Sequence, residues 1–237
     1  MKILIGYDGS ECSDAALDDL KVAGVPSTVE AQVMSVAEVW LPPPPDGTAI
    51  SQYARDLQTH PQPFKAWQTH AAEVAKAETS AKKAEERLRS IFPKWKVTSE
   101  GAYGSPAWEL LSKARELKTD LIVVGSHGRS ALGRFFLGSI SQKVLTEAEC
   151  SVRIARGKVE VDPAPARIVI GYDGSAGAIA AVDSVASRHW PNDTEVKLVA
   201  ITDLTVSLGM DITGANANWT GASGWMLELT SDATIKL

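Results

Sequence analysis

Residues 121–139 read LIVVGSHGRSALGRFFLGS. Leu121–Val124 is a strand apolar on both faces, the pattern of a parallel strand covered by helices on either side. Four glycines follow within Gly125–Ser139, and Ile140–Glu149 behind them reads as a helix. A chain that leaves a buried strand through so little side-chain mass either turns sharply or is closely approached by something else. The spacing Gly125-x2-Gly128-x9-Gly138-Ser139 collects backbone N–H groups and the first turn of a helix into an anion site, with the Ser139 hydroxyl as a further donor. The alternative is a tight strand-to-helix connection with no ligand. Two other nucleotide motifs fail. Gly133-x4-Gly138 is followed by Ser139-Ile140, so a P-loop lacks its lysine, and no GxGxxG follows a strand.

On either side of this segment strands and helices alternate. Lys2–Tyr7, Val29–Val39, Lys96–Tyr103 and Ser151–Ala155 read as further strands. Asp8-Gly9-Ser10 breaks the first; Ser10 or Ser13 caps the helix that follows, with Asp14 in its first turn, and Gly24 and Pro26 end it. LPPPPDG at Leu41–Gly47 forbids regular structure, and Pro42–Pro63 is expected as a long surface loop in which Trp40 packs on the prolines. Val74, Ala77, Ala81, Ala84, Leu88 and Ile91 form one face of a long helix, with Glu78–Lys82 and Glu85–Arg89 expected as i,i+4 pairs outside. Pro106 opens a helix over Pro106–Leu117. This order predicts an α/β fold: an open five-stranded parallel sheet with helices on both faces. In such sheets ligands sit beyond the carboxyl ends of the strands, where strand order reverses. Two strand ends carry unusual chemistry: Asp8 after the first, and the glycine loop after the fourth.

The opening of the chain also returns. ILIGYDGS at Ile3–Ser10 reappears as IVIGYDGS at Ile168–Ser175, identical at seven of eight positions, and an alanine-rich amphipathic run and a strand follow each copy. The linker between them, RGKVEVDPAPAR, carries charge and two prolines. The expected domains are 1–157, complete, a linker at 158–166, and 167–237, a partial second copy with no counterpart of the glycine loop. A truncated sheet leaves an open edge where its fourth strand would lie. A hairpin of WMLELT (Trp225–Thr230) and ATIKL (Ala233–Leu237) is expected to cover it.

Composition narrows the function classes. The 237 residues carry a formal net charge of -5, against a general nucleic-acid binder. No apolar stretch approaches the ~20 residues that cross a bilayer. Cys12 and Cys150 match no zinc or redox spacing and read as reduced thiols. His60, His70, His127 and His189 show no i,i+4 pairing suited to a metal. The N-terminus lacks a long apolar run and a cleavage site and reads as structure, so the cytoplasm is the expected location.

Taken together, YDGS after the first strand, VVGSHGR after the fourth, the glycine spacing, and AECSVRIAR at the last helix end and closing strand resemble the universal stress protein family, in its ATP-binding subgroup. The resemblance covers the first copy; the proline-rich segment and the incomplete second copy, in a tandem arrangement, depart from it. It implies ATP, with Mg2+, at the switch between the first and fourth strands. Gly6, Tyr7 and Asp8 would border the adenosine, with Asp8 as polar contact, and Val36 would meet adenine through its backbone. Val124, Gly125, His127 and Gly128 would line ribose and phosphates, while Gly138, Ser139, Ile140 and Ser141 hold the phosphates by N–H and hydroxyl. Arg129 and Arg134 would neutralise phosphate charge. Plain alternatives stand beside these: Asp8 as a turn cap, His127 as a loop histidine, Asp173 as a repeat of Asp8 without a partner loop. The resemblance further implies a homodimer paired through the closing strand, 151–155. The expected function is a nucleotide-dependent regulatory or stress-response role. A slow ATPase using the same site, and a dimerising interaction module with an empty loop, are the alternatives. No catalytic residue is assigned, because no Walker-type lysine and no acidic pair for Mg2+ beyond Asp8 are present.

Overall fold

The alternating elements close into one parallel sheet in the computed structural model, which describes residues 1–39, 48–59, 65–128, 137–156, 166–200 and 234–236. The chain divides into two units, Met1–Val161 and Asp162–Leu237. In the first, β1 (Lys2–Gly6), α1 (Glu11–Asp19), β2 (Glu30–Ala37), α2 (Ile50–Thr59), α3 (Lys65–Ile91), β3 (Lys96–Tyr103), α4 (Pro106–Leu117), β4 (Leu121–Gly125), α5 (Ser139–Glu147) and β5 (Ser151–Ala155) follow one another. Strand order is β3-β2-β1-β4-β5, every pair parallel, so the reversal falls between β1 and β4.

Period-two alternation assigns each strand residue to a face. Ile3, Ile5, Val33, Leu121 and Val123 pack with Ala16 and Leu17 of α1 and with Ala81, Ala84 and Leu88 of α3. Leu4, Met34, Ile122 and Val124 pack on the other face with Ala107, Leu110 and Ala114 of α4 and Val144 of α5. Each fully buried aliphatic side chain contributes about 1.5–3 kcal/mol, so this double-faced burial is the main support of the unit. Ser10 caps α1, accepting from Ser13 N–H at 3.2 Å. An ion pair from Arg153 to Asp19 ties the edge strand β5 to α1.

Four expectations need correction. Residues 50–59, within the expected long loop, form α2, whose Ile50 and Tyr53 pack on the cluster of Ala71, Val74 and Ala77 in α3. Glu85 is not outside: its side chain is 5% exposed, accepts from Ser99 Oγ at 2.5 Å, and takes Arg89 at 2.6 Å and Lys82 at 3.2 Å. Lys82 thus pairs with Glu85 rather than Glu78, whose backbone lies against Gly101 of β3. Helix α5 starts one residue earlier and stops at Glu147, because Ala148 turns extended. Trp40 and the proline run lie outside the described residues.

The second unit contains β6 (Arg167–Gly171), α6 (Ala176–Ala186), β7 (Glu195–Val199) and β8 (Thr234–Lys236), in the order β6-β7-β8. The turn that follows β1 recurs after β6. Asp8 Oδ1 accepts from Ser10 N–H at 3.0 Å and Asp173 Oδ1 from Ser175 N–H at 2.9 Å. Gly9 and Gly174 have φ of 77° and 79°, and Ser175 caps α6 as Ser10 caps α1. YDGS is therefore first a strand-to-helix turn: an Asx hydrogen bond, a left-handed glycine and a serine cap. The expected hairpin is not where the sequence put it. β8 runs antiparallel to β7, on the side away from β6, so it does not cover the edge of β6; Trp225–Thr230 lies outside the described residues. Val169 and Leu198 are 68% and 45% exposed, whereas their counterparts Leu4 and Val33 are fully buried under α4 and α3, elements with no equivalent among the described residues of this unit.

Candidate functional site

The glycines of the loop after β4 answer the question of turn or close approach. None of Gly125, Gly128 and Gly138 has a left-handed φ. A Cβ on Gly125 would stand 2.8 Å from the backbone C and O of Cys12 and 2.9 Å from Ser13 N, so this glycine admits the first turn of α1. A Cβ on Gly138 would stand 3.3 Å from Ser126 O, and the Gly138 N–H donates to that carbonyl at 2.8 Å. Both are filled by protein backbone. Gly128 differs: among the described residues the built Cβ meets only Asp8 Oδ2, at 3.1 Å, and the glycine faces a cleft.

That cleft, about 630 Å³, opens at the carboxyl ends of β1, β2 and β4, at the reversal of strand order. Ten of the expected residues line it: Gly6, Tyr7, Asp8, Val36, Val124, Gly125, His127, Gly128, Ile140 and Ser141. Gly138 and Ser139 do not. Gly138 is the N-cap of α5 with its N–H already committed to Ser126, and Ser139 is exposed at the first helical position. The donors offered to an anion here are the first-turn N–H groups of Ile140 and Ser141, cleft-lining residues whose N–H groups have no intrahelical acceptor. The Ser141 hydroxyl donates to Gly125 O at 2.7 Å, so it braces the loop against the helix. Arg129 and Arg134 lie outside the described residues.

The other wall comes from β2. Along a strand, backbone polarity alternates. Met34 C=O points to β1 and accepts from Tyr7 N–H at 2.9 Å, while Ala37 C=O points to β3 and accepts from Gly104 N–H at 3.0 Å. Val36 therefore turns its N–H and C=O to the β1 side, beyond the Gly6–Met34 pairing where β1 ends. This strand-end backbone edge opens onto the cleft beside Met34 and Leu110.

Three polar groups sit around the floor. Asp8 carries the turn hydrogen bond on Oδ1, so its capping role and its place in the cleft coexist. The Tyr7 hydroxyl donates to Asp14 at 2.9 Å, and Asp14 is held by Arg87 at 2.6 Å. Burial, then that hydrogen bond, push the Tyr7 phenol up to about 12. It is fixed as a neutral wall. His127 Nδ1 lies 2.8 Å from Ser126 Oγ and 4.0 Å from Cys12 Sγ, while Nε2 is buried with no hydrogen-bond partner among the described residues. No group of three or more His, Cys, Asp or Glu suited to a metal occurs among the described residues.

Sequence reasoning missed the far wall: Glu38 and Val39 after β2, Glu73, Lys76 and Ala77 on α3, and Pro106 and Leu110 on α4. Lys76 and Glu73 pair at 2.6 Å on the rim. The neighbours of Val36 could have been read from strand alternation. The α3 residues gave no signal, because they belong to the cleft only through the packing of α3 on β2 and β3.

The family model described as the universal stress protein family matches residues 1–156. The chain belongs to the universal stress protein family. Among curated relatives, a universal stress protein of Mycobacterium tuberculosis, Rv2005c, is 30% identical over 214 residues, covering 82% of this chain and 65% of the relative. This chain thus spans just under two thirds of the length of that relative. Among solved structures, a universal stress protein from Archaeoglobus fulgidus shares the fold at 20% identity, with a TM-score of 0.55 over 87% of this chain and 70% of that one. A second universal stress protein from Archaeoglobus fulgidus, solved in complex with dAMP, is 12% identical, with a TM-score of 0.40 over 66% of this chain and 98% of that one. No helix among the described residues of this family member is long and apolar enough to cross a membrane.

Proposed function

We propose that this universal stress protein binds ATP in the cleft at the β1–β4 switch, and that occupancy of the cleft is its signal in a regulatory, stress-response role. The observation that carries this reading is the pairing of two unlike backbone features across one cleft. On the β2 side stands the open N–H and C=O edge of Val36 beside apolar Met34 and Leu110. On the β4 side stand the N–H groups that begin α5. The first matches an adenine edge, which offers a donor and an acceptor on a flat apolar ring. The second matches a polyphosphate, drawn by the helix dipole and unsatisfied N–H groups. Asp8 and Gly128 lie between, where ribose or the first phosphate would pass, and Mg2+ would arrive with the phosphates into a cleft whose lining includes the Asp8 carboxylate.

Slow hydrolysis is a second reading, supported by the place of His127 in the cleft wall beside the glycine loop, where a histidine serves general acid–base chemistry. The homodimer reading rests on β5, the edge of the five-stranded sheet, whose outer side pairs with no strand among the described residues and would take the same strand of a second molecule. Mass spectrometry of nucleotide released from denatured purified protein tests the proposal. An adenine nucleotide is expected. The absence of bound nucleotide together with no saturable ATP binding by calorimetry would overturn it and leave the interaction-module reading. Turnover lost in His127→Ala with binding retained would support the ATPase reading.

A further inference from the structure

The wall that α3 gives to the cleft carries charged side chains, and the fold fixes how near they come to β2. A Cβ on Gly101 of β3 would stand 2.7 Å from the Glu78 backbone, so this glycine lets α3 touch the sheet backbone to backbone. Gly101 pairs with Ser35, one residue before Val36. Ala37, Val74 and Ala77 pack together at the same end. A crossover helix between parallel strands runs back against them, so the residues before Glu78 lie toward the carboxyl ends of the strands. Glu73 and Lys76 therefore stand over the end of β2, and both line the cleft together with Val36.

Both side chains can be reached from the cleft: Lys76 is 72% exposed and Glu73 41%. Lys76 Nζ donates to Glu73 Oε1 at 2.6 Å. That bond uses one of three ammonium N–H groups and one of two carboxylate oxygens, so the pair still offers an acceptor and a donor side by side. As an exposed pair on a helix surface it adds little stability. Glu38 brings a second carboxylate to this end of the cleft. Two carboxylates against one ammonium turn phosphates away from β2, while the N–H groups that begin α5 draw them to the other end. The β2 end is thus left for the uncharged base. Adenine presents a donor beside an acceptor on its N6–N7 edge, whereas guanine presents two acceptors there, O6 and N7. An adenine held on the Val36 backbone by N1 and one N6–H still offers its other N6–H and N7.

We propose that the Glu73–Lys76 pair is the base-selecting element of the cleft: Glu73 accepts the second N6–H of adenine and Lys76 donates to N7. Guanine is rejected because its O6 would be set against the Glu73 carboxylate. The Val36 backbone selects less, since guanine also sets an acceptor, O6, beside a donor, N1–H. This role rests on the reading of the cleft as a nucleotide site and names the side chains that choose the base.

Isothermal calorimetry on the full chain compares ATP, GTP and 7-deaza-ATP, whose ring lacks the N7 acceptor. The parent chain is expected to bind ATP at least about fivefold more tightly than 7-deaza-ATP and about tenfold more tightly than GTP. Lys76→Met is expected to bind ATP and 7-deaza-ATP equally. Lys76 acting only as a charge near the phosphates would weaken both alike and leave their ratio unchanged. Glu73→Gln, whose amide can donate to O6, is expected to gain affinity for GTP and narrow the ATP-to-GTP ratio about threefold or more. Both positions are exposed, so the variants should melt within about 2 °C of the parent. Equal binding of ATP and 7-deaza-ATP by the parent, or a ratio unchanged in either variant, would overturn the base-selecting role while ATP binding upheld the cleft. No saturable binding of ATP by the parent would overturn both together.

Discussion

Gly125 and Gly128 stand three residues apart in one loop, and the structure gives them opposite duties. An alanine at 125 places its methyl 2.8 Å from the Cys12 carbonyl atoms and 2.9 Å from Ser13 N. These are backbone atoms at the capped start of α1, so they cannot swing aside, and the helix must retreat from β4. Overpacking of this kind costs about 1–3 kcal/mol. At about 2–4 °C per kcal/mol for a unit of this size, the melting temperature should fall by roughly 2–12 °C. Among the described residues an alanine at 128 meets one atom, Asp8 Oδ2 at 3.1 Å, at the end of a side chain that can give by a few tenths of an ångström. Its effect on stability should stay within about 0.5 kcal/mol. The methyl nevertheless enters the cleft beside Asp8, so ATP affinity should fall about tenfold or more, about 1.4 kcal/mol. Thermal melts and isothermal calorimetry on both variants check this. A Gly125→Ala chain as stable as the parent, or a Gly128→Ala chain with undiminished ATP affinity, would refute the division of labour.

Asp8→Ala removes both the acceptor of Ser10 N–H and the cleft carboxylate, so ATP affinity should fall roughly tenfold to a hundredfold, about 1–3 kcal/mol, by calorimetry. Asp173→Ala, which removes the same turn hydrogen bond in the second unit, should leave ATP affinity unchanged. ATP should saturate at one per chain, because β6 ends in the same turn without a glycine loop to face it; a titration reaching two would contradict this. Burial alone would raise the Glu85 carboxyl, but hydrogen bonds from Ser99 and Lys82 and the charge of Arg89 outweigh it and hold the group below its ordinary 4.5. A depressed carboxyl stabilises the fold above the unfolded value and loses that contribution as pH falls through the folded one. Glu85→Gln should therefore cost about 1–3 kcal/mol at pH 7 in urea melts, and the difference from the parent should shrink as pH drops below 4.5.

Periodicity made the sheet readable. β3, α4 and β5 begin and end where alternation, Pro106 and the β-branched residues of SVRIA at Ser151–Ala155 place them. The five-stranded parallel order follows from apolar strands separated by helices, and with it the cleft at the β1–β4 reversal. What the sequence hid is tertiary. Gly125 and Gly138 look like phosphate-cradling residues until helix α1 and the Ser126 carbonyl are seen to occupy the space beside them. Glu85 reads as a surface partner for Arg89 because the helical stripe does not reveal that α3 tilts this face onto Ser99 of β3. The ten-residue helix α2 was overshadowed by flanking prolines, although Ile50 and Tyr53 share the i,i+3 spacing that seats it on α3. YDGS shows the limit of a motif. Asp173 and Ser175 reproduce the turn of Asp8 and Ser10, so only the loop opposite Asp8 distinguishes a site from a strand end.

The most direct test of the cleft as an ATP site is an amide NMR titration of the isotopically labelled chain with ATP and Mg2+. Saturable shifts are predicted at Gly6–Asp8, Val36–Val39, Val124–Gly128 and Ser139–Ser141, with none at Ile168–Ser175 despite its near-identical sequence. Shifts absent from the residues around the cleft, or equal shifts in both copies of the repeat, would contradict the placement of the nucleotide at the β1–β4 switch.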